Sequence, residues 1–97
     1  MPTYISLIRL TQKGIENIKD SPDRLDAAKK AFQDKGAEIK AFYLVMGEYD
    51  IVVISEAPDD ETVTKLALTI GSLGSIRTES LRAFTEDEYR KIIADLP

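Results

Sequence analysis

Four successive apolar residues, Ile51 to Ile54, constrain the fold of this chain more than any other feature. Neighbouring side chains of a strand point to opposite faces of the sheet, so this run is apolar on both sides. A strand with two apolar faces must be covered on both of them. Thr3–Thr11 and Glu38–Met46 show the same two-sided pattern. We therefore expect one sheet whose two faces are both shielded from water.

The strand signals fall into four segments separated by turn residues and helical patterns. We predict strands over residues 3–11, 38–46, 49–56 and 75–83. Gly47-Glu48 is then a tight connection between the second and third strands, which must form a hairpin. In the second strand, alternation places Ile39 with Ala41 and Tyr43 on one face and Phe42 with Leu44 on the other.

Helical patterns occupy the remaining segments. Ser21-Pro22 is typical of a helix start, and Gly36 of its end. A second helix begins in the acidic segment after Pro58 and ends at Gly71 and Gly74. The order β-α-β-β-α-β predicts an α+β, ferredoxin-like fold with a four-stranded antiparallel sheet, forming a single domain over residues 1–97.

A further helix follows the fourth strand, where Thr85 and Glu88 form a capping box. Two helices cover one sheet face, so the other would expose an apolar patch, which monomers rarely tolerate. We predict a C2 homodimer whose sheets meet face to face, an α/β barrel made by two chains. In the alternative, Ile92, Ile93 and Leu96 dock the last helix onto the body, where it folds back over the patch.

Composition excludes several classes of function. The chain has no cysteine and no histidine, which removes thiol chemistry, disulfides and the usual zinc ligands. A net charge of −4 with scattered basic residues argues against nucleic acid as a partner. The apolar runs are shorter than the ~20 residues of a membrane helix. We expect no cofactor, metal, signal peptide or membrane partner, and a cytoplasmic protein.

The string Gly47-Glu48-Tyr49-Asp50 is the most unusual local sequence. In a functional interpretation, Tyr49 and Asp50 hydrogen-bond or deprotonate a ligand at the rim of a pocket, with Asp50 as a general base. In a structural interpretation, Gly47 permits the hairpin backbone, Tyr49 packs and Asp50 caps nearby amides. Both interpretations are open at this point.

The fourth strand is unusually polar, and Arg77 and Thr78 are its candidate site residues. They would line a polar pocket beside the third strand and bind an anion, or else belong to the solvated face of an outer strand. Tyr4, Tyr43 and Tyr49 could line one cavity, although aromatic residues in strands more often belong to the core.

The segment Met46-Gly47-Glu48-Tyr49-Asp50-Ile51-Val52 resembles the signature of the GYD domain family, and the resemblance extends over nearly the whole chain. It implies a ferredoxin-like subunit in a dimeric α/β-barrel arrangement. Gly47, Tyr49 and Asp50 are then signature residues, and no established activity comes with them.

Three functions are compatible with these observations. The first is a module, small-molecule-binding or regulatory, with a pocket between sheet and helices or at the dimer rim; its candidate ligand-binding residues are Gly47, Tyr49, Asp50, Arg77 and Thr78. The second is a cofactor-free enzyme, similar to small dimeric isomerases and monooxygenases, with Asp50 as base and Tyr49 as donor. The third is a purely structural oligomerising subunit. The first is favoured because a chain without histidine and cysteine offers few side chains for catalysis.

Overall fold

The computed structural model describes residues 1–97, which form four strands and four α-helices. The strands are β1 (Thr3–Leu10), β2 (Glu38–Leu44), β3 (Ile51–Glu56) and β4 (Ile76–Ala83). The helices are α1 (Gln12–Glu16), α2 (Ser21–Asp34), α3 (Asp60–Gly71) and α4 (Glu86–Ala94), with a 3₁₀ turn at Ile18–Asp20 before α2. The predicted element order is confirmed, with the short helix α1 lying between β1 and α2.

All strand pairs are antiparallel, and the sheet order is β2-β3-β1-β4. This is the predicted ferredoxin-like arrangement, in which α2 and α3 cover one face. The core lies between that face and the helices, where Tyr4, Phe32 and Leu66 are buried in one cluster and Ile8, Ile51 and Val53 in another. The apolar stripes of both helices therefore face the sheet as their spacing predicted.

The opposite side of the sheet, here called the open face, carries a second apolar layer. Its members are Ile5, Leu7, Ala41, Tyr43, Val52, Ile54 and Leu81. No helix covers them, and the side chains of Tyr43 and Leu81 remain 56% and 43% exposed. The two-sided apolar pattern read from the sequence thus corresponds to two real layers, of which the chain itself covers one.

A β-bulge corrects the predicted faces of β2. The pairing with β3 shifts between Ile39 and Ala41, leaving Lys40 without a partner. One additional residue reverses the alternation, so Ile39 lies on the helix-covered face with Phe42, whereas Ala41 and Tyr43 lie on the open face. The expectation that Ile39 shares a face with Ala41 was therefore wrong.

Two predicted boundaries also differ. The connection between β2 and β3 is longer than Gly47-Glu48 and is closed by a 2.9 Å bond from the Val45 N–H to the Asp50 carbonyl. The 3₁₀ turn runs directly into α2, so the N-cap position is Asp20. Ser21 is therefore the first residue of the helix and not its cap. The predicted end at Gly36 is confirmed by its φ of 74°.

Helix α4 does not dock onto the body. None of its residues is buried, and the exposed apolar residues include Tyr89, Ile92, Ile93 and Leu96. The helix leaves from the end of the edge strand β4, where Ala83 pairs with Thr3, and this corner position directs it away from the sheet. The Cα radius of gyration is accordingly 14.6 Å, against about 12.5 Å for a compact chain of this length. The expectation that Ile92, Ile93 and Leu96 pack on the body was wrong.

None of the helices combines the length and the apolar character that crossing a membrane requires.

Candidate functional site

One cavity of the molecule is a groove between the sheet and helices α2 and α3. It has a volume of about 240 Å³ and 22 lining residues, 15 of them hydrophobic. Its floor is formed by strand residues such as Ile8, Val53 and Ile76, and its walls by helix residues such as Ala28 and Ile70. Small residues on α2 leave this space open, because alanine side chains do not reach across to α3.

Polar groups in the groove are few. Six residues contribute hydroxyls: Ser6, Ser21, Thr69, Ser75, Thr78 and Ser80. Arg24 is the only charged residue in the lining. Its Nη1 donates a 3.0 Å hydrogen bond to the Asn17 carbonyl, whereas its Nη2 is buried and has no hydrogen-bond partner. The lining thus combines an apolar body with one cationic side chain, whose guanidinium has a nitrogen without a partner.

A second cavity, the rim cleft, lies at the end of the open face. Its volume is about 340 Å³ and it is lined by Leu7, Arg9, Tyr49, Arg77, Thr78 and Glu79. The Tyr49 hydroxyl donates a 2.9 Å hydrogen bond to Glu79, and the Arg9 guanidinium lies 4.6 Å from the centre of the Tyr49 ring. Arg9 also forms an ion pair of 2.5 Å with Glu48. The rim cleft is therefore a surface network of alternating charges.

The network changes the acidity of its tyrosine. The hydrogen bond to Glu79 raises the pKa of Tyr49, and burial and the charges of Glu79 and Glu48 act in the same direction, against the opposing charge of Arg9. The hydroxyl accordingly remains protonated at neutral pH and can donate a hydrogen bond. It is suited to holding a ligand oxygen or Glu79, and unsuited to taking a proton.

Asp50 stands apart from both cavities. Its carboxylate accepts a 2.9 Å hydrogen bond from the Leu10 N–H, and its own N–H donates to the Ile8 carbonyl at 2.9 Å. Gly47 has a φ of 113°, a conformation that L side chains rarely adopt, and a Cβ built there would meet no atom within 4 Å. These contacts match the structural interpretation of Gly47 and Asp50.

The structure brings together three of the five predicted site residues. Tyr49, Arg77 and Thr78 line the rim cleft, and Thr78 also lines the groove, whereas Gly47 and Asp50 line neither. The three tyrosines do not share a cavity, since Tyr4 is buried on the helix-covered face and Tyr43 lies on the open face.

Sequence reasoning missed three charged residues of these cavities. Arg9 and Glu79 belong to the rim cleft, and Arg24 belongs to the groove. The signal for Arg9 was a charged residue in an otherwise apolar strand. Pairing of β1 with β4 places Arg9 opposite Arg77 on the same face of the sheet. Arg24 gave no such signal, because a charged residue in the first turns of a helix is ordinary.

No group of three or more acidic side chains is arranged to hold a metal ion.

A family model for the GYD domain matches residues 4–93. The chain belongs to the GYD domain family. The matched span runs from the start of β1 into α4 and includes the signature at Gly47, Tyr49 and Asp50. The resemblance read from the sequence is thereby confirmed.

Similar proteins fall into two groups. A Thermus thermophilus protein named "Glutamine synthetase and cystathionine beta-lyase binding protein" is 38% identical over 84 residues, covering 86% of this chain and 88% of that protein. A crystal structure from the same organism has a TM-score of 0.56 at 29% identity, covering 88% of this chain and 95% of that one. A feast or famine regulatory protein of Mycobacterium tuberculosis has a TM-score of 0.63 at 20% identity, covering 90% of this chain and 54% of that one, and shares the fold alone.

Proposed function

We propose that this GYD domain protein is a homodimeric regulatory or binding module that holds a small, mainly apolar molecule in the groove. The observation that carries the proposal is the groove itself, a cavity of about 240 Å³ with 15 hydrophobic residues in its lining. Protein interiors are normally packed with few voids larger than a water molecule. Binding sites for small molecules are mostly apolar concavities with a few polar groups.

Native mass spectrometry of protein purified from its host tests this function, because it reports any retained small molecule together with the assembly state. The matched pair of variants is Ala28→Leu, which fills the groove, and Ala94→Leu, which adds the same side chain on exposed α4. We expect the retained mass to be lost in the first variant and kept in the second. Retention of the molecule by both variants would place it elsewhere.

The homodimer is supported by the open face. Its apolar layer includes Val52 and Ile54 at the centre of the sheet, and α4 leaves it uncovered. A second copy placed sheet to sheet would bury both layers and put the two rim clefts at the edge of the interface. We expect light scattering after size exclusion to give a dimer, and Val52→Lys to give a monomer. Leu68→Lys, on an exposed position of α3, is the control that should remain dimeric.

A second function, binding of another protein, is favoured by the name of the Thermus relative. Helix α4 supplies a suitable surface, because Tyr89, Ile92 and Ile93 follow the i, i+3, i+4 spacing of one face and are exposed, as is Leu96 just beyond the helix. The test is co-purification of this protein with the glutamine synthetase and the cystathionine beta-lyase of its own host, the two enzymes in the relative's name. Ile92→Glu should abolish co-purification, and Lys91→Glu on the same helix should not.

The enzymatic alternative uses Asp50 as a base and Tyr49 as a donor. This alternative needs both side chains free to meet a substrate. Their contacts do not favour it, since the Asp50 carboxylate accepts from the Leu10 N–H and the Tyr49 hydroxyl donates to Glu79. The ligand-binding role of Gly47, Tyr49, Asp50, Arg77 and Thr78 remains a prediction. Tyr49, Arg77 and Thr78 line the rim cleft, which supports such a role for these three.

A further inference from the structure

The groove has a charge asymmetry that bears on the chemistry of its occupant. Arg24 is the only charged side chain among 22 lining residues, and no carboxylate is present in that lining. The neighbouring acids on the same turn, Asp20 and Asp23, are exposed and do not line the groove. A molecule in the groove therefore meets one positive charge and no negative charge.

The guanidinium of Arg24 is also incompletely bonded. Nη1 is bonded to the Asn17 carbonyl, but Nη2 is buried without a partner, and Arg24 takes part in no ion pair. A buried donor without a partner loses its hydration without compensation, and the penalty is larger when the donor is charged. A group that accepts hydrogen bonds at this position would remove that cost.

The residues around Arg24 narrow the choice of acceptor. A carboxylate matches the planar fork of a guanidinium and forms short, charge-assisted hydrogen bonds with it. Ser21 lines the same groove and is the first residue of α2, so the positive end of the helix dipole also lies on this side. The remaining lining is apolar or carries hydroxyls, which suits a hydrocarbon body.

We propose that the groove takes an alkyl carboxylate, with its carboxylate on Arg24 and its chain along the apolar floor. The assignment rests on the proposed binding function and specifies its ligand class. The groove volume of 240 Å³ equals that of about eight water molecules in the liquid, each occupying about 30 Å³. A ligand of about ten non-hydrogen atoms fits this space, and octanoate is the probe of that size.

Calorimetric titration with octanoate, octan-1-ol and octylammonium tests the assignment on the full chain, because these probes share a chain and differ in head group. We expect octanoate to bind at least about tenfold more tightly than octan-1-ol, and octylammonium more weakly than both. Arg24→Gln should reduce octanoate affinity to that of octan-1-ol without changing octan-1-ol binding. Arg24→Lys, which keeps the charge, should retain part of the preference, and Lys29→Gln, on an exposed lysine of α2, should retain all of it.

The outcomes separate this assignment from the function on which it rests. Equal binding of octanoate and octan-1-ol to the wild-type protein would overturn the carboxylate while leaving an apolar binding site. Octanoate binding that survives Arg24→Gln unchanged would overturn the role of Arg24. Absence of binding by all three probes would remove the groove as a site for ligands of this size. The three wild-type titrations decide the head group even where a variant fails to fold.

Discussion

The carboxylate of Asp50 accepts a 2.9 Å hydrogen bond from the backbone N–H of Leu10, a residue 40 positions earlier in the chain. The backbone of Asp50 adds two further bonds, to the Ile8 carbonyl and from the Val45 N–H. One residue of the family signature thus joins the β2–β3 connection to the end of β1. This joint holds the connection that carries Tyr49, a residue of the rim cleft.

The first prediction concerns this joint. Asp50→Ala should lower the free energy of unfolding by about 1–3 kcal/mol, because the partly buried Leu10 N–H loses its acceptor. Asp50→Asn should cost less, since its amide oxygen still accepts the bond. Urea denaturation measures both, with Asp26→Ala, on an exposed position of α2, as the control. An Asp50→Asn protein of unchanged stability that no longer binds its ligand would instead support the functional interpretation.

Stability at high pH should depend on Tyr4. Burial and a hydrogen bond of 2.5 Å to Asp60 raise the pKa of Tyr4 from 10.0 to about 12. Between these values the unfolded chain releases the proton and the native chain keeps it, so stability present below pH 10 is lost as pH rises toward 12. Urea midpoints over this range should fall less steeply for Tyr4→Phe than for the wild type. Tyr89→Phe, at an exposed tyrosine of α4, should keep the wild-type slope.

The rim cleft gives a spectroscopic prediction. Because the hydrogen bond to Glu79 raises the pKa of Tyr49, Glu79→Gln should lower that pKa. Ultraviolet titration of tyrosinate in the wild type, Glu79→Gln and Glu79→Gln/Tyr49→Phe proteins isolates the Tyr49 transition. An unchanged titration curve in Glu79→Gln would mean that the two side chains are not bonded in solution.

The capping box of α4 can be tested separately from the core. The Thr85 hydroxyl accepts from the Glu88 N–H at 3.2 Å, and the Glu88 carboxylate accepts from the Thr85 N–H at 2.9 Å. Thr85→Ala should destabilise this helix by about 1 kcal/mol and reduce helical circular dichroism, with little change in the main unfolding transition. Thr69→Ala, within α3, is the control and should not reduce helicity. A large drop in the unfolding midpoint for Thr85→Ala would show that α4 packs on something in solution, such as a second copy.

Much of the fold was predictable because its signals are periodic. Apolar residues on two faces of β3 predicted a sheet with two apolar layers, and Gly36 and the acidic segment after Pro58 predicted where helices end and begin. In β1 and β3 the side chains alternate between the two faces without interruption, and Ile8 and Val53 are buried as alternation requires. The bulge at Lys40 was not predictable, because alternation gives no sign of where an additional residue interrupts pairing.

The candidate site was less predictable than the fold. Tyr49 was found from the unusual Gly47–Asp50 string, and Arg77 and Thr78 from the polarity of the fourth strand. Their meeting with Arg9 depends on the register of β1 and β4. The groove arises from the separation of two helices, which spacing within each helix does not reveal. The alternative in which α4 docks on the body could not be decided from sequence, because its apolar stripe gives no information about which surface it meets. That residues 1–97 form a single domain remains a prediction.

The bulge in β2 has a consequence for comparing members of the family. Removing Lys40 would restore uninterrupted pairing and leave Ile39 opposite Ser55 beneath the helices, whereas keeping Lys40 but pairing it with Ser55 would move Ile39 to the opposite side. A relative that lacks one residue at this point should therefore keep both faces of the strand, so a gap opposite Lys40 signals loss of the bulge rather than a change of the buried side.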